Sequence, residues 1–165
     1  MAPERALPPV GPAARFFEDL AVGEVFTTQG RTVTEADGLA WAMFTGDMNP
    51  MHVDDEFARR HALFGGRFPP GLMAVAMASG LKERLGLFAG TGMAIRRQTV
   101  EYRSPVLFGD TIAVEVEVVG RERRPGRPYG RVDMTYRIVK GDGTVAVEGE
   151  WEMFVACRDD AQARP

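Results

Sequence analysis

Residues 72–85 form the most apolar helical stretch of the chain, and they constrain the fold more than any other segment. Leu72, Met73, Val75, Ala76, Met77, Leu81 and Leu85 cover nearly all sides of its early turns. A helix apolar all round has to be enclosed by other elements. The second half of the chain supplies the enclosure. Ile112, Val114, Val116 and Val118 alternate with Ala113, Glu115, Glu117 and Val119. Val132, Met134, Tyr136 and Ile138 keep the same beat, as do Val145, Val147, Trp151, Met153 and Val155. Residues 93–103 make a further strand. A period of two over such lengths predicts half-buried strands, one face dry and one wet. Gly141-Asp142-Gly143 is a hairpin turn, so the sheet is antiparallel. The packing that satisfies both halves is an α+β domain whose long sheet wraps its apolar face around one central buried helix.

The first half is organised by punctuation. An extended segment over residues 23–33 breaks near Gln29-Gly30. Thr34-Glu35-Ala36-Asp37 opens a helix with a capping box in which Asp37 stands for the usual Glu or Gln, and Gly46 stops it. A second short helix spans residues 54–61. The Gly65-Gly66-Arg67-Phe68-Pro69-Pro70-Gly71 loop then leads into the central helix. With 165 residues there is room for one domain, taken as 16–158, between flexible tails at 1–15 and 159–165. The N-terminal tail is rich in Pro and Ala and has no apolar run, so it is not read as a signal peptide.

Composition excludes several classes. A net charge of −3 gives no global attraction to nucleic acid. The longest uncharged apolar run, residues 72–78, is far short of the roughly 20 residues a membrane span needs. The single Cys157 cannot form an internal disulfide, and cytoplasmic localisation is the default. His52 and His61 match no common zinc spacing, so no metal is expected.

Chemistry concentrates between the first two helices, in Phe44-Thr45-Gly46-Asp47-Met48-Asn49-Pro50-Met51-His52. Gly46 and Pro50 argue against regular helix there, which leaves a shaped loop able to aim Asp47, Asn49 and His52 at one point. Asp-x-Asn alone reads as turn capping. His52 tips the balance, because an imidazole near a carboxylate exchanges protons near neutral pH.

This stretch resembles the signature of MaoC-like dehydratases and (R)-specific enoyl-CoA hydratases, the hydratase-2 motif. It reads Phe44, then Gly46-Asp47-Met48-Asn49-Pro50-Met51-His52, then Asp55-Glu56-Phe57-Ala58. The likeness continues through Phe64-Gly65, Gly71-Leu72, Ser79, Tyr102-Arg103-Ser104-Pro105-Val106 and Gly109-Asp110-Thr111. It implies the hot-dog fold, a homodimer or a higher homo-oligomer built from dimers, and reversible hydration of a 2-enoyl thioester, on CoA or an acyl carrier, to the (R)-3-hydroxyacyl thioester without a cofactor. Carried over, Asp47 and His52 are the catalytic pair and Asn49 the third polar group. Gly71 supplies an oxyanion-hole amide and Ser79 a supporting residue on the buried helix. The chemistry agrees: Pro69 and Pro70 have no amide hydrogen, so Gly71 is the first donor of that run. Pro70 departs from the family, where His commonly precedes this Gly.

Two other readings stand beside this one. A hot-dog thioesterase usually carries an acid on the buried helix; residues 72–81 contain none, and Glu83 comes late. A non-catalytic subunit of a heteromeric dehydratase would usually have lost the polar pair. Arg96, Arg97, Arg103 and Arg124 are candidates to meet the phosphates of CoA, although each also reads as an ordinary solvated Arg. Met48, Met51, Met73 and Met77 read as acyl-tunnel lining or, for most of them, core filling.

Overall fold

The computed structural model describes residues 11–158. A 3₁₀ turn, Phe17–Asp19, leads into β1 (Val25–Thr27), β2 (Arg31–Thr32), α1 (Glu35–Thr45), α2 (Pro50–Val53), α3 (Asp55–His61) and α4 (Gly71–Glu83). Four long strands follow: β3 (Gly92–Tyr102), β4 (Thr111–Arg123), β5 (Tyr129–Lys140) and β6 (Val145–Ala156). They form one antiparallel sheet in the order β1-β4-β5-β6-β3, with β2 also on β4. The α+β reading and the antiparallel sheet therefore hold.

The sheet's inner face is the alternating apolar set. Ile112, Val114, Val116, Val118, Val132, Met134, Tyr136, Ile138, Val147, Trp151, Met153 and Val155 are all buried. From α4, Met73, Ala74, Val75, Ala78 and Leu81 join the same core. The helix is not enclosed on every side as expected, because Leu72 is 58% exposed. Lys82 is the reverse surprise, a charged residue only 2% exposed. Its ammonium pairs with Glu83 at 2.7 Å and lies 5.0 and 5.2 Å from the Phe88 and Trp151 ring centroids. The carboxylate and two ring faces replace part of its lost hydration.

The outer face is a lattice of charge. Arg96 and Arg97 both hold Glu152, and Arg97 also meets Glu150 at 3.0 Å. The hydrogen bond from Arg97, seconded by Arg96, keeps the Glu152 carboxyl below its ordinary value. Arg103 reaches Glu101 at 2.7 Å and Glu148 at 2.5 Å. Three of the four arginines considered for phosphate binding are thus engaged by carboxylates of the sheet.

The tails fall mostly outside the described residues, which begin at 11 and end at 158. Gly11 and Arg15, placed by sequence in the N-terminal tail, donate backbone hydrogen bonds to Ala89 and Leu87 at 3.1 and 2.7 Å. Among the described residues no helix is long and apolar enough to cross a membrane.

One position shows how tightly the sheet closes. Tyr136 stacks on Trp151 at 4.1 Å and donates from its hydroxyl to the Thr99 carbonyl at 3.2 Å. Both groups crowd Gly149, where a Cβ would stand 2.1 Å from the Thr99 oxygen. Gly149→Ala is therefore expected to destabilise the fold by about 1–3 kcal/mol, as overpacking does. Gly66→Ala, with nothing within 4 Å, should stay within about 0.5 kcal/mol. Urea midpoints at unchanged m-value measure both.

Candidate active site

Local rules place the Asp47–His52 segment. The capping box forms as read: Thr34 Oγ1 accepts from the Asp37 amide at 3.2 Å, and the Asp37 carboxylate accepts from the Thr34 amide at 2.9 Å. Arg31 pairs with the same carboxylate. Gly46 ends α1 with φ +76°, a conformation that favours glycine, and its amide donates to Ala42 at 2.8 Å.

The chain beyond Gly46 is stitched by side chains. The Asn49 amide donates to Asp47 Oδ1 at 3.3 Å. Asn49 Oδ1 accepts from the Met51 amide at 3.1 Å, and the Asn49 carbonyl from the His52 amide at 2.8 Å. Asn49 is thus the N-cap of α2. Here the reading of 46–52 as a loop without helix is corrected. Pro50 starts a helix, because the first helical position needs no amide donor and wants the φ that proline fixes. His52 consequently projects from a one-turn helix.

His52 Nδ1 lies 2.7 Å from the Phe68 carbonyl oxygen, and the imidazole meets the Phe68 ring edge-on at 5.0 Å and 85°. A carbonyl can only accept, so Nδ1 carries the hydrogen, and in the neutral imidazole the lone pair lies on Nε2. Nε2 and Asp47 Oδ2 have no protein partner among the described residues.

Phe68 also connects His52 to Gly71. Three residues after the carbonyl that holds the imidazole, α4 begins at Gly71, a separation of at most about 11 Å along the chain. Pro70 is the N-cap with no side-chain bond, and the Met73 amide returns to Pro70. The amides of Gly71 and Leu72 are left without a helical acceptor, at the positive end of a 13-residue helix.

The loop before α4 is fixed by Arg67, which sequence reasoning assigned no part. It donates to Asp55 at 2.6 Å and to Glu35 at 2.7 Å, joining α3 and α1. That hydrogen bond from Arg67 holds the Asp55 carboxyl below the ordinary carboxylate value. No local pattern signals the arginine, since its partners lie 12 and 32 positions away.

A cavity of about 290 Å³ opens beside Gly71, walled by Phe64, Phe68 and Tyr102 over Ala74 and Val147. Phe68 thus lines the cavity with its ring while its carbonyl holds His52. Ser79 lies outside it, eight residues further along α4, about 12 Å at 1.5 Å per residue. Met73 and Met77 line a separate groove of about 430 Å³ between α1 and α4, with Trp41 and Phe44, whereas Met48 is exposed.

The family model described as "MaoC like domain" matches residues 18–141. The chain belongs to the MaoC-like dehydratase family. Its members' chemistry makes it a hydro-lyase. A 3-hydroxybutyryl-CoA dehydratase of Methylorubrum extorquens is 35% identical over 147 residues, covering 88% of this chain and 87% of that one. An (R)-specific enoyl-CoA hydratase of Rhodospirillum rubrum is 28% identical over 87% and 93% of the two chains. A double hot-dog protein of Mycobacterium tuberculosis superposes with a TM-score of 0.79 at 19% identity, over 93% of this chain and 47% of that one. The likeness identifies the sheet wrapped on α4 as a hot-dog fold.

The α2 cap is open to direct test. Asn49→Ala should lower stability by about 1 kcal/mol, and Asn49→Asp should retain most of it, as N-cap exchanges do. Thermal unfolding of the two variants separates them.

Proposed function

We propose that this MaoC-like enzyme hydrates a trans-2-enoyl thioester reversibly to the (R)-3-hydroxyacyl thioester, with Asp47 and His52 activating one water. The observation that carries the reading is the His52 Nδ1 hydrogen bond to Phe68, which leaves Nε2 as a proton acceptor. Nε2 takes one proton from the water while Asp47 Oδ2 orients the other. The hydroxide adds to C3, and the double-bond electrons move onto the thioester oxygen. The Gly71 amide faces that developing charge, an arrangement suited to an oxyanion. The imidazolium, its Nδ1 hydrogen still on Phe68, returns the proton to C2. One water is consumed and both residues end as they began. Asn49 serves by capping α2, and Ser79 by supporting the substrate along α4. The (R) outcome requires addition from one face only, in keeping with relatives named (R)-specific hydratases.

The substrate carrier is CoA or an acyl-carrier thioester, a reading supported by the CoA names of the relatives. Thioester hydrolysis fits less well. The only acid on α4, Glu83, sits at its far end and is tied to Lys82.

The functional unit is a homodimer. β3 is an 11-residue edge strand with one neighbour, β6, and residues along it are exposed. A bare edge of that length invites a second strand, and another copy's β3 extends the sheet. Sedimentation equilibrium should return a dimer; a monomer at assay concentration counts against this arrangement.

Asp47→Asn and His52→Ala should each lower kcat about 10²–10⁴-fold, the usual contribution of a positioned acid or base. Loss of enoyl absorbance by the purified enzyme, without release of thiol, is the readout. Thiol release instead would mark a thioesterase. Full activity in either variant sinks the assigned mechanism.

A further inference from the structure

Residues 121–131, around the tip of the β4–β5 hairpin, carry five arginines and one acid, Glu122, in a chain whose net charge is −3. Elsewhere the sheet neutralises its arginines with carboxylates. Arg96 and Arg97 meet Glu152, Arg103 meets Glu148, and Arg137 meets Glu115. On the hairpin itself, Arg131 is held by Glu122 and Asp133, and Arg121 donates to the Phe17 and Leu20 carbonyls. Arg124 and Arg127 differ from all of these. Their guanidiniums have no hydrogen bond or ion pair among the described residues, and Arg124 Nε is buried without an acceptor.

The hairpin holds these two arginines together. The Arg127 amide donates to the Arg124 carbonyl at 3.1 Å across Pro125 and Gly126, whose φ is +71°. Proline second and a left-handed glycine third are the pattern of a type II turn, which keeps the Cα atoms of its first and last residues within about 7 Å. Arg123 fixes the loop further. Its Nη1 donates to the Arg124, Arg127 and Tyr129 carbonyls at 3.1, 2.7 and 3.3 Å. The Cys157 amide adds a bond to the Pro128 carbonyl at 3.0 Å. Two like charges are thus set side by side on a rigid loop, and an anion that accepts from both removes their repulsion.

A cavity of about 310 Å³ opens beside the pair, lined by Arg124, Pro125, Arg127, Tyr129 and Phe154. The Tyr129 and Phe154 rings are half-buried and lie 4.8 Å apart at 42°. Unpaired guanidiniums and aromatic rings therefore border the same space. Guanidinium forks match phosphate oxygens, and ring faces match a planar heterocycle. A nucleoside phosphate has both parts, and the volume, at the small end of ligand cavities, suits a single nucleotide. The place is remote from the site described above. From Val147, which borders the cavity beside Gly71, to Phe154 is seven residues of β6, about 23 Å at 3.3 Å each. We propose that the Arg124–Arg127 hairpin is a second binding site, which takes a nucleoside monophosphate distinct from the substrate. The proposal is independent of the hydratase reading.

Calorimetric titration of the full-length protein with adenosine 5′-monophosphate (AMP), adenosine and inorganic phosphate tests it. AMP should bind one molecule per chain, more tightly than either of its parts. Arg124→Gln and Arg127→Gln should each weaken AMP about 10–100-fold, the worth of a charged hydrogen bond. Tyr129→Leu should weaken AMP and leave phosphate unchanged. Arg137→Gln, which removes an arginine already held by Glu115, should change nothing. Thermal unfolding without ligand checks that each variant folds. AMP that fails to bind at millimolar concentration, or that binds folded Arg124→Gln and Arg127→Gln as it binds the wild type, overturns the proposal. Phosphate bound as tightly as AMP overturns the nucleotide assignment. The substrate's own phosphates offer the same chemistry, and kinetics separate the two sources. KM for crotonyl-CoA and for crotonyl-pantetheine should both be unchanged in Arg127→Gln; a rise confined to crotonyl-CoA gives the pocket to the substrate and overturns a separate site.

Discussion

The bond from His52 Nδ1 to the Phe68 carbonyl joins two segments that the sequence separates by 16 positions. It carries an unusual share of the site's definition. The carbonyl dictates the tautomer, so in the neutral imidazole the lone pair lies on Nε2. The same peptide leads into α4, so the proposed base, His52, and the proposed oxyanion donors at the start of α4 share one support. Arg67, one residue earlier, ties that support to α1 and α3 through Glu35 and Asp55. Displacing the loop would move both halves of the chemistry together.

The fold divides labour between two layers. The sheet and α4 form the dry core and supply the helix N-terminus. The helices α1 to α3 contribute few buried residues, only Ala42 and Ala58 among them. Their order comes from caps instead: Thr34 with Asp37, Asn49, and Asp54, whose carboxylate accepts from the Glu56 and Phe57 amides at 2.9 and 3.0 Å. Segments held by hydrogen bonds at exposed ends open more easily than a packed core. The layer bearing Asp47 and His52 is therefore held chiefly by caps and by the His52 and Arg67 contacts rather than by a packed core.

What the sequence disclosed follows the range of the interactions involved. Strand alternation, the Thr34–Asp37 box and the Gly46 stop are written within a few residues, and each is found where it was read. Asp47, Asn49 and His52 came from a motif of nine positions, Gly71 and Ser79 from the wider family likeness, and the described geometry ties His52 to the loop before Gly71. What escaped were contacts between distant positions. Nothing near Arg67 announces Glu35, and nothing near Gly71 announces the ring of Tyr102. Nothing near Lys82 announces that the rings of Phe88 and Trp151 lie over its ammonium. Pro50 was misjudged for a different reason. Proline breaks a helix in its interior and begins one at its first turn, and the choice turns on whether the preceding residue can cap; Asn49 can.

Pro69 and Pro70 show how a helix N-terminus is aimed without a capping side chain. Both are buried, and Pro70 holds φ −54° and ψ 138°, the extended geometry that a proline ring accepts without strain. A Ser or Asp cap would have spent its oxygen on the amides of the first turn. Pro70 offers no such oxygen, so the amides of Gly71 and Leu72 receive no acceptor from the cap. Two consecutive rings also restrict the backbone that leads to Gly71, which limits how far its N–H can swing. Donors that are unsatisfied yet fixed in direction are what an oxyanion requires, because no reorganisation is left for the moment of reaction. On the proposed reading, proline at position 70 therefore leaves the Gly71 amide available to an oxyanion.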